Sequence, residues 1–359
     1  MTTFVSMKEH TEAVTIRQVA EQAGVSIGTV DRILHKRGRV SKQTAQRVMA
    51  TIEALQYKPN IHAALLSKRK AVRIAVIIPY FQSGEFWSLI YEGVKRAERE
   101  LTAYNPEISI IYYNQFDGES FEYACRNCMD QNPHGVILSP IHRDISARFV
   151  EQLNTQKIPV IFLDTCVDSC PYFAYYGSQL GDSAKVLADL LFTDKKVKQI
   201  VNFKIVSENG FFSEAFLRRE KGLKQFIEDN NIACEVFECV ISPSNFLHDV
   251  SIFDRFFKEH PDVHNAITMT SRAHLIADWV EIRGVKGLTI MGYDMTPANV
   301  RALKKGTIRY LIAQRTDDQA FTATKALVEY LSLGTAPAMR DNLFPIDILT
   351  KYNVDYYLR

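Results

Sequence analysis

The sequence predicts two folds in one chain. The first is a small all-α head of three helices followed by a hinge helix. The second is an α/β body of two lobes, each a doubly wound parallel sheet. Three observations carry this. Apolar positions recur at helical spacing over residues 15–55, broken by a turn containing Gly24. From Val72 onward, short apolar runs alternate with helical stretches in two successive series. The charge is also divided: residues 1–73 hold 13 Lys/Arg and 5 Asp/Glu, a net of +8, whereas residues 74–359 hold 30 and 36, a net of −6. A basic head on an acidic body points to a polyanionic partner for the head.

The 359 residues suffice for two or three domains. With 47% hydrophobic and 23% charged residues, a disordered chain is excluded. No run approaches the roughly 18 uncharged apolar residues of a membrane span. The opening stretch MTTFVSMKEHTEAV lacks the apolar core of a secretion signal, so a cytoplasmic protein is expected, away from membranes. Its six cysteines (125, 128, 166, 170, 234 and 239) are then expected to stay reduced.

In the head, Thr15 and Gln18 have the spacing of a capping box, and Ile16, Val19, Ala20 and Ala23 form one apolar face. Gly24 ends that helix. Ser26 caps a second helix, Ile27 to Leu34, with Val30, Ile33 and Leu34 inward. Ser41 caps a third, with Ala45, Val48, Met49, Ile52 and Leu55 as its stripe. Two short helices joined by a tight turn are the helix-turn-helix pattern, though many three-helix domains bind no DNA.

The stretch TIRQVAEQAGVSIGTVDRIL…RVSKQTAQRVMATIEALQYKPN resembles the head of the LacI family of bacterial transcriptional repressors, over residues 15–66. The resemblance implies a DNA-binding domain at 12–58, a hinge at 59–70 and an effector-binding domain at 71–359. It implies that Ile27, Gly28 and Arg32 face base edges in the major groove. Arg32 would read guanine, a contact worth about 1–3 kcal/mol of discrimination. Thr15, Ser26, Thr29, Ser41 and Thr44 match the family's phosphate-contacting hydroxyls, with capping alone as the other reading. Arg39, before the third helix, is expected on the DNA backbone. In NIHAALLSKRK, Asn60, Ala63 and Leu66 match the family hinge, which folds on DNA when two subunits meet, with Leu66 as a minor-groove wedge. The other reading is a flexible basic linker.

Asp31 stands out, because this chain reads TVDR where the family commonly has TVSR. A carboxylate near phosphates costs affinity. It either accepts from cytosine N4, the favoured reading, or pairs with Arg37 or Arg39 and braces the basic loop.

In the body the apolar runs are VRIAVIIP, EISIIYYN, GVILSP and IPVIFLD, then KQIVNFKI, CEVFECVI, AITMT, GLTIMGYD and RYLIAQ. Ligands bind beyond the carboxyl ends of such strands, so a cleft between lobes is the expected site. The body resembles the type I periplasmic-binding-protein fold, in its ribose- and galactose-binding branch. EFWSLIYEGV, IPVIFLD, RREKGL and GYDMTPANVRALKKG…IAQ carry the likeness. It implies an N-lobe at about 72–165 plus 315–340, and a C-lobe at about 166–314 plus 341–359. It places Phe86 and Trp87 against a sugar ring, with Asp164, Arg219, Asp294 and Gln314 on its hydroxyls and Ser271 nearby. Helix-face packing is the other reading of the two rings, and a helix cap or interlobe hydrogen bond that of the two aspartates. The chain departs from the ribose binders at Glu85 (proline there), Thr165 (arginine there) and Ser271-Arg272 (Asn-Asp there). Ribose itself is therefore in doubt. Arg219 with Arg272 would suit an acidic or phosphorylated sugar, unless Arg272 is spent in a salt bridge.

The sequence contains no P-loop, dinucleotide fingerprint or HExxH pattern, so no enzyme and no cofactor is expected. CRNC, from Cys125 to Cys128, has redox or zinc spacing without a second pair, and no metal is expected. The resemblance thus implies a repressor that binds a double-stranded DNA operator as a homodimer under control of a small-molecule effector, a monosaccharide or derivative. A purine effector, a transport role and an enzyme on the same fold are the alternatives.

Overall fold

The computed structural model describes residues 14–34, 38, 40–55, 57, 71–193, 196–205, 212–241 and 246–358, with only the backbone over 246–249. The chain divides into two compact units, Met1–Lys70 and Ala71–Arg359.

The first unit contains α1 (Ile16–Ala23), α2 (Ile27–Leu34) and α3 (Lys42–Ala54). Thr15 and Gln18 close a reciprocal capping box on α1. Gly24 ends the helix at φ 62°, a left-handed conformation that costs glycine nothing sterically. Val19, Ala20, Ala23, Val30, Val48 and Tyr57 form the core. Met49 does not join it and is 53% exposed, against the expectation for α3. Val48, Ile52 and Leu55 share one face at i, i+4 and i+7, and Met49 lies about 100° round the helix from Val48. The hinge, with Asn60, Ala63 and Leu66, lies outside the described residues, as does Arg39.

The second unit holds two six-stranded sheets. The first is built from β1 (Val72–Pro79), β2 (Pro106–Tyr113), β3 (Gly135–Leu138), β4 (Val160–Asp164), β5 (Ala174–Gly177) and β11 (Asp341–Leu343), in the order β11-β5-β4-β3-β1-β2, all parallel. The second is built from β6 (Gln199–Ile205), β7 (Glu235–Ile241), β8 (Asn265–Ile267), β9 (Thr289–Tyr293), β10 (Tyr310–Ala313) and β12 (Asp347–Leu349), in the order β12-β10-β9-β8-β6-β7. Only β12 runs antiparallel in it. The central strands are apolar throughout because helices cover both faces. These are α4 (Phe86–Glu100), α5 (Gly118–Asp130), α6 (Arg143–Thr155) and α12 (Thr316–Leu333) in the N-lobe. The C-lobe has α7 (Leu180–Phe192), α8 (Glu214–Asp229), α9 (Phe246–Glu259), α10 (Ala273–Arg283) and α11 (Pro297–Lys305).

The lobe boundaries differ from the expected ones. Because β5 and β11 pair in the first sheet, the chain crosses between lobes after Gly177, after Ala313 and between Leu343 and Asp347. β5 is four residues long, and β11 and β12 are three each with mostly uncovered side chains, so none leaves an apolar run. The three crossings are tied to one another. Gln319, fully buried on α12, donates from Nε2 to the Gln314 carbonyl (2.6 Å) and to Ser178 Oγ (3.2 Å). Ser178 Oγ donates to the Phe344 carbonyl (3.4 Å).

Close backbone approach sets the pitch of α8 on α7. A Cβ on Gly222 would be driven into the Gly181 carbonyl, whereas a Cβ on Gly181 would meet the Arg218 carbonyl at an ordinary 3.8 Å. Gly222→Ala is therefore expected to destabilise the body by about 1–3 kcal/mol through overpacking. Gly181→Ala is expected to be neutral or slightly stabilising from helix propensity. Thermal unfolding of the two variants checks this, and equal shifts would remove the argument.

Candidate effector cleft and nucleic-acid face

The strand ends of the two lobes meet around a cavity of about 320 Å³, near the lower end of small-molecule sites. Phe86, Trp87, Asp164, Arg219, Ser271 and Asp294 all line it. The wall beside α4 is aromatic. Phe86 and Trp87 meet edge to face with centroids 4.9 Å apart. Trp87 is buried in the N-lobe core and donates from Nε1 to Gln115 Oε1 (3.1 Å), while Phe86 is half-buried.

The floor holds the charge. Asp164 ends β4 and Asp294 follows β9, and both have left-handed backbone, at φ 67° and 69°. A side chain pays for that conformation only where the surroundings fix it. Asn299 fixes Asp294: its Nδ2 donates to the carbonyls of Tyr293 (2.8 Å), Asp294 (3.2 Å) and Ser271 (2.9 Å). The Tyr175 hydroxyl reaches the carbonyls of Asp164 (3.0 Å) and Ser178 (3.1 Å). Asn299 and Tyr175 were not singled out from sequence, because a buried Asn or Tyr carries no mark of its role.

Arg219, on α8, stands over the Tyr293 ring at 4.0 Å and donates from Nη1 to the Met269 carbonyl (2.7 Å). Its Nε has no hydrogen-bond partner among the described residues. Gln314 lies behind the cavity wall and donates from Nε2 to Asp294 Oδ1 (2.9 Å). It therefore supports Asp294 from behind. No described residue donates a hydrogen bond to the Asp164 carboxylate. Burial pushes its pKa up to about 7, opposed by Arg219 and reinforced by Asp294. Asp294 is also raised, chiefly by burial, against the pull of Arg219 and Gln314. Among the described lining residues the only histidine, His274, faces Asn299 Oδ1 (3.2 Å) rather than a nucleophile.

Arg272 is bound up. Its Nη2 lies 3.5 Å from Glu85 Oε1 on the other lobe. Cys125 and Cys128 are buried on α5, and burial pushes both thiols up, Cys128 to about 12. Neither is a ready thiolate. Among the described residues no cluster could hold a metal.

In the head, Ile27 is 46% exposed, and Gly28 and Arg32 are exposed beside it. A Cβ on Gly28 would meet nothing nearer than 3.9 Å, so the fold does not require glycine there. Arg32 donates from Nε to the Gly28 carbonyl (3.0 Å), which lays its side chain back along α2. Ser26 and Ser41 accept from the Thr29 and Thr44 amides (both 3.2 Å), so these hydroxyls cap their helices. Asp31 is exposed on α2. The loop arginines proposed to brace it lie outside the described residues.

Fold and cleft together define a two-lobed binding protein joined to a helix-turn-helix head. Residues 15–60 match the family of bacterial regulatory proteins, lacI family, and residues 74–336 match the periplasmic binding protein domain. A protein assigned as a LacI transcriptional regulator from Bacteroides fragilis is 30% identical and covers 80% of this chain and 100% of its own, with a TM-score of 0.77. The chain belongs to the LacI family of bacterial regulatory proteins. The HTH-type transcriptional regulator DegA of Bacillus subtilis (strain 168) is 28% identical over 158 residues, 42% of this chain and 43% of that relative. The alignment thus spans less than half the relative's length. A glucose-galactose binding protein from Geobacillus stearothermophilus shares the fold at 17% identity and a TM-score of 0.68, over 80% of this chain and 99% of its own. No helix among the described residues is long and apolar enough to cross a membrane.

The floor makes a pH prediction. Asp164 keeps its proton in the folded body up to about pH 7 and loses it near 3.8 when unfolded. Between those values the folded state binds more protons, so this group's contribution falls as pH rises and stays low above 7. Asp164→Asn removes the buried charge. Its stability relative to wild type should therefore grow by about 2–3 kcal/mol between pH 5 and pH 8, with parity on this group only below about pH 4. An offset that does not vary with pH in thermal unfolding would contradict this.

Proposed function

We propose that the chain is a sequence-specific DNA-binding transcriptional regulator, a repressor, whose operator affinity is set by an uncharged monosaccharide or derivative held between the lobes. The observation that carries the effector reading is the floor: two buried carboxylates, one from each lobe, with a single guanidinium, facing an aromatic wall. Apolar C–H faces suit Phe86 and Trp87, and hydroxyl rims suit Asp164, Arg219, Asp294 and Ser271. A phosphorylated or acidic sugar is disfavoured, because two carboxylates outweigh Arg219 and Glu85 already occupies Arg272. A purine would use the same aromatic wall but leave most of the carboxylate acceptors unmet.

The operator reading rests on the exposed face of α2. Arg32 would turn from its own helix carbonyl to a guanine edge, Ile27 and Gly28 would lie against the groove, and Thr15, Ser26, Thr29, Ser41 and Thr44 would fix register on phosphates. Arg39 and the hinge residues Asn60, Ala63 and Leu66 would extend that contact. A homodimer in the cytoplasm would bind a near-palindromic site. Effector binding would draw the lobes together, shift the N-lobes of the dimer and change operator affinity. By linkage, operator would change effector affinity by the same factor.

Selection of the full chain against a random duplex library should yield a near-palindrome with a preferred G·C pair in each half-site. Sequence-independent binding would overturn the reading. In the same selection, Asp31→Ser should tighten binding to all duplexes and blur preference at one base pair. Tighter binding with unchanged preference would leave only a bracing role for Asp31. A thermal-shift panel should find a neutral monosaccharide that stabilises the chain, by about 2.7 kcal/mol at a hundredfold excess over Kd. Stabilisation by purines or sugar phosphates alone would replace the effector class.

A further inference from the structure

Two of the chain's departures from the ribose binders meet each other. Glu85 stands at the N-terminus of α4 in one lobe and Arg272 at the N-terminus of α10 in the other. Both line the cavity, and their side chains pair across its rim at 3.5 Å. Glu85 is held ready for this contact. It makes no capping bond to α4, and its Oε2 instead accepts from the Gln82 amide (2.9 Å). That leaves Oε1 for Arg272.

Arg272 is misplaced for its own helix. A cation at a helix N-terminus faces the positive end of the dipole, which is unfavourable. A carboxylate brought up from the opposite lobe offsets that cost. The lobes touch beside the pair, since a Cβ on Gly84 would stand 3.7 Å from Pro297 Cγ. Near the floor, Arg218 of the C-lobe donates to the Cys166 carbonyl (2.9 Å) and to Asp168 Oδ2 (2.8 Å) of the N-lobe. The Arg218 contacts are shorter than the 3.5 Å Glu85–Arg272 pair, which makes the pair the looser of the two contacts.

We propose that Glu85 and Arg272 form an ionic clasp that biases the two lobes towards the closed state before any effector binds and so gates entry to the cleft. The pair makes opening salt-dependent, because separating it exposes two charges that the Debye atmosphere screens. An anionic ligand would compete with Glu85 for Arg272 and loosen the rim. A neutral ligand leaves the clasp intact.

Acrylamide quenching of tryptophan fluorescence in the full chain tests this without DNA or effector, so its failure is separate from failure of the regulatory reading. The chain has two tryptophans. Trp87 lines the cleft, and Trp279 is buried in the C-lobe, bonded to Asp254 (2.9 Å). At low salt, Arg272→Gln and Glu85→Gln should each raise quenching about twofold, as loss of a pair worth up to about 1 kcal/mol allows. The double variant should go no further. The exchange of Glu85→Arg with Arg272→Glu should return quenching to the wild-type level. About 1 M salt, where the Debye length is about 3 Å, should raise wild type to the level of the variants. Arg272→Gln is the decisive variant, because it lies on the lobe opposite Trp87. Unchanged quenching in it, or additive increases in the double variant, would overturn the clasp.

Discussion

Everything in the body turns on the seam where the chain crosses between lobes. Ser178, Gln314 and Phe344 belong to three separate crossings, and Gln319 with Ser178 hydrogen-bonds all three into one strip. Buried polar groups must find partners, and here the Gln319 amide and the Ser178 hydroxyl find them in the crossings themselves. The crossings therefore cannot shift independently. A hinge closure between the lobes would therefore have to bend all three together. Both sheets point their carboxyl ends at this seam, so the residues just past the strands are the ones that face each other.

That constraint explains the unusual backbone at the floor. Asp164 and Asp294 sit in left-handed conformations that most side chains avoid. They aim the two carboxylates at one space instead of letting each continue along its strand. The strain is held by Asn299 on one side and Tyr175 on the other, neither of which lines the cavity. Burial raises both carboxyls, Asp294 adds to the rise of Asp164, and Arg219 only partly relieves them. A hydroxyl-rich ligand supplies donors without adding charge, which is the demand left over.

Much of this was legible in the residues, and the limits have physical causes. Strands buried on both faces announce themselves as apolar runs, so nine of the twelve could be read. β5, β11 and β12 could not: β5 is buried but only four residues long, AYYG, and β11 and β12 are three-residue edge strands; the lobe boundaries slipped with them. The strand-end aspartates were legible because residues at the carboxyl ends of such strands border the space between the lobes, and both line the cavity. Gln314 was found at the right strand end, yet it stands behind Asp294 rather than on the cavity, a distinction only packing makes. Glu85 and Arg272 showed separately as departures, and neither position reveals that the other lies across the rim. Met49 failed because a helical stripe read one residue too wide includes a neighbour that turns to solvent.

In the head, capping and DNA contact need not compete. A serine hydroxyl has two lone pairs and one proton. In each of the pairs Ser26–Thr29 and Ser41–Thr44, the serine oxygen accepts the threonine amide, and the two hydroxyls share one further bond of 2.9 or 2.8 Å. That bond consumes one of the two hydroxyl protons and leaves the other unspent. Each pair therefore keeps a helix N-terminus intact while holding one O–H donor on an exposed helix end whose dipole already favours an anion. A phosphate oxygen is the acceptor that end would attract. The geometry that stabilises α2 and α3 in isolation is thus the geometry that would seat them on a nucleic-acid backbone, with no rearrangement of the cap.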